Sequence, residues 1–278
     1  MIVELGKINT LKIERKVDFG LYLDGRNLGE ILMPKRYVTP SMQIGNDVEV
    51  MVYLDGEERN VATTETPIAQ VGEFAWLKVN KIETSGAFLD WGLSKELLVP
   101  FSEQKIKMEE GRFYLVFIYI DKVTDRIAAT MKLEKFFSKD IPDYNINQEV
   151  DLMIWTPTEI GYKAIVNGRH QGVLYKNEVF RKLTTGQKLK AYIKKIREDG
   201  KIDLTLEKQG YVRIDAASQK ILDTISKAGG FLPYNDKTDP EVIYKIFGVS
   251  KKAFKQSIGN LFKQRLILIS EKGIEKVQ

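Results

Sequence analysis

The 278-residue chain is 43% apolar and 29% charged, with net charge +5, one histidine and no cysteine. This composition excludes disulfides and thiolate chemistry and leaves a transition-metal site without ligands. No apolar run approaches the roughly 18 residues that a membrane span needs. Residues 1–7 have neither the basic start nor the long apolar stretch of a signal peptide, so a cytoplasmic location is expected.

In the first 66 residues, Leu11-Lys12-Ile13-Glu14 and Gly20-Leu21-Tyr22-Leu23 alternate as half-buried strands do. Asp24-Gly25 is a hairpin signal, and Ile31-Leu32-Met33 is a short strand closed by Pro34, which has no N–H for a ladder. Gly45-Asn46-Asp47 turns into a strand over 48–54, and Asp55-Gly56 turns again into Val61-Ala62-Thr63. Five short strands, with one longer connection before the fourth and no room for crossover helices, predict a small closed barrel of the OB type.

The pattern then returns. A shift of 66 places Gly6, Gly20, Pro34, Gly45, Val50, Tyr53 and Asp55 on Gly72, Gly86, Pro100, Gly111, Val116, Tyr119 and Asp121 without a gap. A further shift of 75 places Gly86, Pro100, Gly111 and Ile127 on Gly161, Tyr175, Gly186 and Ile202. Two steps are constant in all three copies: 25 residues between glycines (20 to 45, 86 to 111, 161 to 186) and 41 to the last strand (20 to 61, 86 to 127, 161 to 202). Length alone suggests about two domains, but a repeat of this kind decides architecture first. It predicts barrels over 1–66, 67–137 and 145–208. In the second copy the strands fall at 76–79, 87–89, 97–99, 114–120 and 127–129; in the third, at 150–154, 162–166, 172–175, 188–193 and 202–206. Phe136-Phe137 and the polar run to Asp143 read as a linker with an apolar anchor.

After Gly210 the period becomes helical. Ile214, Ile221, Leu222 and Ile225 share a face that Gly229-Gly230 ends. Asp239-Pro240-Glu241 opens a second helix, with Val242, Ile243 and Ile246 inward and a stop at Phe247-Gly248. Ser250 caps a third helix with Phe254, Ile258 and Leu261 on one face, and a hairpin closes around Glu271-Lys272-Gly273. Residues 212–278 therefore read as an α/β winged helix-turn-helix domain. The fold class is multidomain and mainly β.

Catalysis finds no residues to carry it. There is no Gly-x-x-x-x-Gly-Lys-Ser/Thr loop and no Gly-x-Gly-x-x-Gly opening a helix. Glu57-Glu58 and Glu109-Glu110 fall in turns without a partner base, and no nucleophile has an activating neighbour. No cofactor, metal or small-molecule substrate is expected. Charge points elsewhere. Residues 1–66 carry 8 basic and 11 acidic side chains, 67–137 carry 10 and 10, 138–211 carry 13 and 10, and 212–278 carry 12 and 7. A polyanion is drawn to the C-terminal half.

On an OB barrel the second and third strands offer aromatic rings to single-stranded nucleic acid. By repeat position the rings are Phe19 and Tyr22 in the first copy and Phe88 in the second. The third offers Tyr162, Lys163, Tyr175 and Lys176, with Arg169 and His170 in the adjoining turn and Lys194 and Lys195 nearby. Trp91 reads as a packing residue against a neighbouring barrel. The last segment adds Lys251, Lys252, Lys255 and Lys263 on its third helix, with only Gln256 and Asn260 suited to base edges.

Phe19-Gly20-Leu21-Tyr22-Leu23, Gly86-Ala87-Phe88-Leu89-Asp90 and Asp121…Asp125-Arg126-Ile127 resemble the S1 RNA-binding domain. Three such domains and a winged helix are similar in order to the conserved virulence factor B family, as are Phe88-Leu89-Asp90-Trp91-Gly92-Leu93 and Gly200-Lys201-Ile202-Asp203-Leu204. The resemblance implies a non-catalytic bacterial RNA-binding regulator and adds Arg126 to the RNA-contacting set. A standard domain of this type has an aromatic before the glycine and a histidine ending the third strand. Here Ser85 and Ile160 replace that aromatic in the last two copies, and Pro34, Pro100 and Tyr175 replace the histidine. The expectation is single-stranded RNA bound mainly by the third barrel and the winged helix, in post-transcriptional regulation, with ribosomal or RNA-processing proteins as further partners. Two alternatives stay open: a transcription regulator reading DNA through the winged helix, and an interaction scaffold on the ribosome or a nuclease complex.

Overall fold

A computed structural model describes residues 2–176, 179, 181–206 and 216–277. The chain forms two compact units, Met1–Glu207 and Lys208–Gln278. Ile214 and the boundary between the third barrel and the first helix lie outside the described residues.

The first unit holds three five-stranded modules. The first comprises β1 (Ile8–Val17), β2 (Gly20–Asp24), β3 (Glu30–Pro34), β4 (Asp47–Leu54) and β5 (Asn60–Thr63), closed in the order β1-β2-β3-β5-β4. The second comprises β6 (Phe74–Glu83), β7 (Gly86–Asp90), β8 (Leu97–Pro100), β9 (Phe113–Ile120) and β10 (Ile127–Thr130) in the order β10-β9-β6-β7-β8, with its end strands β8 and β10 adjacent. The third closes like the first, from β11 (Glu149–Thr158), β12 (Gly161–Val166), β13 (His170–Tyr175), β14 (Lys188–Ile196) and β15 (Ile202–Thr205). Alternation fills each core: Leu11, Ile13, Leu21, Leu23, Ile31 and Met33 point into the first barrel. Each such side chain contributes about 1.5–3 kcal/mol on burial.

The repeat extends to irregularities. The first strand of each barrel slips register at one position, between Ile13 and Arg15, Val79 and Lys81, and Ile154 and Thr156. The bulged residues Glu14, Asn80 and Trp155 are related by the same shifts of 66 and 75. The repeated glycines have two different causes. At Gly20, Gly86 and Gly161 a Cβ would stand 2.1, 2.2 and 2.0 Å from the carbonyl oxygens of Met33, Val99 and Leu174 on the next strand. At Gly45 and Gly111 space is open, and a left-handed φ of +92° and +77° is the constraint. Gly111→Ala is therefore expected to cost about 1–2 kcal/mol, and Gly86→Ala clearly more, since β8 must also move. Urea denaturation of the two variants measures the difference.

One register differs from the sequence alignment. Tyr53 faces Val61, but Tyr119 faces Ala128 rather than Ile127. The hairpin closed by Asp55 and Arg59 has three residues between them, whereas that closed by Asp121 and Arg126 has four. In the third barrel, a bulge between Ile193 and Lys195 brings Asp203 to the place of Val61. The constant step of 41 residues is thus one short in copies two and three. The buried threonines Thr63, Thr130 and Thr205 mark the true correspondence.

The barrels are fused through apolar contacts. Met51, Tyr53 and Val61 of the first share a core with Leu89, Leu97, Val99 and Trp91 of the second. Trp91 is 2% exposed, in keeping with its reading as a packing residue. Phe74, Leu115 and Phe117 of the second barrel join Ile165, Met153 and Trp155 of the third around Phe136 and Phe137. Those two rings are the apolar anchor of the linker.

The second unit contains α1 (Ala216–Lys227), β16 (Phe231–Leu232), α2 (Pro240–Phe247), α3 (Lys251–Lys263), β17 (Ile267–Ser270) and β18 (Gly273–Lys276), with sheet order β16-β18-β17. Asp239 accepts from the Glu241 amide and Ser250 from the Ala253 amide, as N-caps do. Gly248 ends α2 at φ +65°. The two-residue strand β16 is too short to show a period in sequence. Val242 differs from expectation: it is 36% exposed, because the buried stripe of α2 runs through Ile243 and Phe247, one turn apart. Among the described residues no helix is long and apolar enough to cross a membrane.

Candidate nucleic-acid interface

On β2 the side chains of Leu21 and Leu23 are buried, which turns Tyr22 outward. The Arg15 guanidinium lies 3.8 Å from the Tyr22 ring centroid. Glu30 holds it by two hydrogen bonds of 2.9 and 2.8 Å. Phe19, 57% exposed, meets the Tyr22 ring edge-on at 6.3 Å. A related constellation recurs 66 residues later: the Lys81 ammonium lies 5.0 Å from the Phe88 centroid, 2.8 Å from Glu83, which has no acidic counterpart in the first barrel, and 3.3 Å from Glu96. The carboxylates raise the affinity of Arg15 and Lys81 for their protons, and Arg15 in turn holds Glu30 below the usual carboxylate range. Both rings thus sit beside a permanent cation, an arrangement that favours stacking of a further planar group.

Two grooves lie on the same barrels, the second of them lined in part by Phe88. A groove of about 380 Å³ on the first barrel is lined by Leu32, Pro34, Arg36, Tyr53, Asp55, Arg59 and Val61. A second, of about 460 Å³, runs between the first barrel's hairpin and the second barrel's β7 and β8, and shares Tyr53 and Asp55 with the first. Burial pushes the Tyr53 phenol up to about 12, so it remains a neutral donor. Sequence reasoning missed Arg15, Arg36 and Arg59. Arg59 was hidden by the hairpin length, since closing the turn by pairing makes it the counterpart of Arg126. Arg15 and Glu30 were legible as counterparts of Lys81 and Glu96. Arg126 itself pairs with Glu58 of the first barrel and bridges the two modules.

The third barrel is built otherwise. Tyr162 stands opposite Leu174, the register of inward-facing Leu21, and is half-buried against the core. That corrects its reading as a surface ring. Its hydroxyl accepts from the Leu183 amide at 3.4 Å. Lys163 takes the place of Tyr22 and lies 5.2 Å from the ring of the bulge residue Trp155. Cation and ring have exchanged strands. Tyr175 accepts from Arg197 and donates to Asp203 at 3.4 Å. Arg169 pairs with Asp140. His170 also departs from expectation: it is 7% exposed, and its Nδ1 meets the Tyr144 hydroxyl at 2.8 Å. Burial, then the Arg169 charge, hold its pKa below the ordinary value, so it is neutral and packed inside. Lys176 and Lys195 are exposed, and Lys194 is half-buried.

On α3, Lys252, Lys255 and Lys263 are exposed and Lys251 is half-buried. Lys255 lies 3.5 Å from Asp236. Gln256 is exposed but Asn260 is half-buried, which leaves this helix few groups for paired readout of base edges. Among the described residues no three His, Cys, Asp or Glu side chains gather as metal ligands. The chemistry on offer is stacking, hydrogen bonding and charge.

Comparison with known proteins identifies the modules. Residues 5–65 and 71–132 match the S1 domain, and residues 219–275 match the CvfB-like winged helix domain. The chain is 31% identical to the uncharacterized protein YitL of Bacillus subtilis (strain 168) over 279 residues, which cover 93% of this chain and 89% of that one. It is 25% identical to conserved virulence factor B of Staphylococcus saprophyticus over 283 residues, 99% of this chain and 95% of that protein. Among solved structures, a multidomain protein with nucleic acid binding domains from Streptococcus pneumoniae TIGR4 is 25% identical, with TM-score 0.45 and 98% of both chains covered.

Proposed function

Because the chain belongs to the family of conserved virulence factor B and YitL and its S1 and winged-helix domains bind nucleic acid, we propose that its ligand is single-stranded RNA. The rings of the first two barrels stack bases, while the lysines of the third barrel and of α3 neutralise phosphates. The protein acts without catalysis as a post-transcriptional regulator in the cytoplasm. The observation that carries this reading is the cation, ring and carboxylate set repeated at a spacing of 66 on two adjoining outward faces. Stacked single bases need such platforms; a duplex keeps its bases stacked on one another and cannot use them. The excess of basic over acidic residues in 138–211 and 212–278 supports a phosphate-contacting role for that half.

A competition between labelled single-stranded RNA and duplex DNA on the full chain tests the reading, and preference for the duplex overturns it. The electrostatic share has its own test. With about four phosphates neutralised, affinity for RNA is expected to fall on the order of 50-fold between 50 and 200 mM salt. Replacing Lys252, Lys255 and Lys263 by glutamine is expected to lower the slope of log affinity against log salt by about 0.7 per lysine that touches a phosphate. Fluorescence anisotropy across a salt series measures both.

A further inference from the structure

The hollow between the first two barrels belongs to neither alone. One wall is the first barrel's hairpin, with Tyr53, Asp55 and Glu58; the other carries Phe88, Leu98 and Pro100 of the second. Its volume of about 460 Å³ lies within the roughly 300–1,000 Å³ of small-molecule sites. The hairpin is fixed in place: the Lys95 ammonium donates to the carbonyls of Leu54 and Asp55 at 2.6 and 2.7 Å, and Glu58 pairs with Arg126. The walls are therefore formed before any ligand arrives, which lowers the cost of binding.

The rim decides what enters. Asp55, Glu58, Glu96 and Asp121 line it with Lys95 and Arg126; Asp55, Glu58 and Glu96 pair with Arg59, Arg126 and Lys81, which leaves Asp121 as the rim carboxylate without a salt bridge among the described residues. A flat ring with N–H donors on its edge finds its acceptor in that unbridged carboxylate. Asp121 offers both oxygens: Oδ1 accepts the Val123 amide at 2.9 Å and keeps a second lone pair, and among the described residues no donor reaches Oδ2. Of the RNA bases, guanine alone presents a ring N–H beside an amino group, two parallel donors that a carboxylate accepts together. Uracil presents one N–H between two carbonyls, which the rim repels. We propose, building on the RNA-binding reading above, that this hollow takes one unstacked base of a strand crossing from the first barrel's face to the second's, and that it selects guanine. The shared residues Tyr53 and Asp55 make the two grooves one path.

The test uses the full chain, fluorescently labelled heptauridylate, and the same strand with a central guanosine. The guanosine strand is expected to bind on the order of ten-fold tighter, and Asp121→Asn to bring the ratio of affinities towards one. With 6-thioguanosine at the centre, photo-crosslinks are expected in both 53–58 and 85–100. Equal affinity of the two strands overturns the proposal while leaving RNA binding intact, as do crosslinks confined to one barrel or to residues 138–278. Binding of neither strand removes the RNA reading itself. Free guanosine monophosphate that competes at the strand's own concentration makes the hollow a mononucleotide site and overturns the strand path.

Discussion

Replacing Tyr22 and Phe88 together by alanine is expected to weaken single-stranded RNA binding by about 30-fold or more. A base stacked on an aromatic ring contributes about 1–3 kcal/mol, and two such losses, about 2 kcal/mol at the least, give that factor. Neither ring fills a core, since Tyr22 and Phe88 are half-buried and face outward between buried neighbours. Folding should survive, as far-ultraviolet circular dichroism can verify. Each single variant is expected to lose about five-fold or more. The double loss should equal the product of the single losses if the two rings hold separate bases of one strand. Anisotropy titrations of the four proteins settle it; undiminished affinity in the double variant would falsify the platform role.

The largest expected loss of stability lies at Trp91. Trp91 is 2% exposed and packs where Met51, Tyr53 and Val61 of the first barrel meet Leu89, Leu97 and Val99 of the second. Its indole N–H donates to the Lys95 carbonyl. Removing a buried tryptophan costs about 3–5 kcal/mol, a large share of the roughly 5–15 kcal/mol that holds a domain folded. Trp91→Ala is therefore expected to lower the denaturation midpoint and to separate the unfolding of the first two barrels from that of the third. Trp91→Phe should restore most of the apolar contact and lose only the hydrogen bond. Urea titration followed by circular dichroism reads both. An alanine variant with unchanged midpoint would show that the barrels are not coupled through this ring. Because Trp91 also lines the hollow between the barrels, the same variant should lose the guanine preference.

Why did the sequence weight the third barrel, when the structure builds its ring platforms on the first two? Tyr162 lies next to the landmark glycine and looks like a counterpart of Tyr22, yet it is one residue nearer that glycine. In a strand one residue reverses the face, so Tyr162 turns inward and Lys163 outward. His170, expected in a turn, opens β13 and is packed against Tyr144. A single extra residue in the second hairpin displaces Arg59 from its match to Arg126. The differences at Tyr162 and Arg59 are ones of register, and register is fixed by pairing across the sheet, which a linear comparison does not contain.

The chain's own pattern determined three barrels and a winged helix, because these follow from local rules. Alternation sets which strand faces are buried. The glycines that open the second strands are required by a carbonyl 2.0–2.2 Å from any Cβ, and Asp239 and Ser250 start helices by capping free amides. Only tertiary structure decided how the barrels join and what lies between them. Trp91 reads in sequence as a packing residue, but nothing along the chain names Met51 and Tyr53 as what it meets, nor Glu58 as the partner of Arg126. Long-range burial and charge pairing bring them together, and neither leaves a periodic trace along the chain.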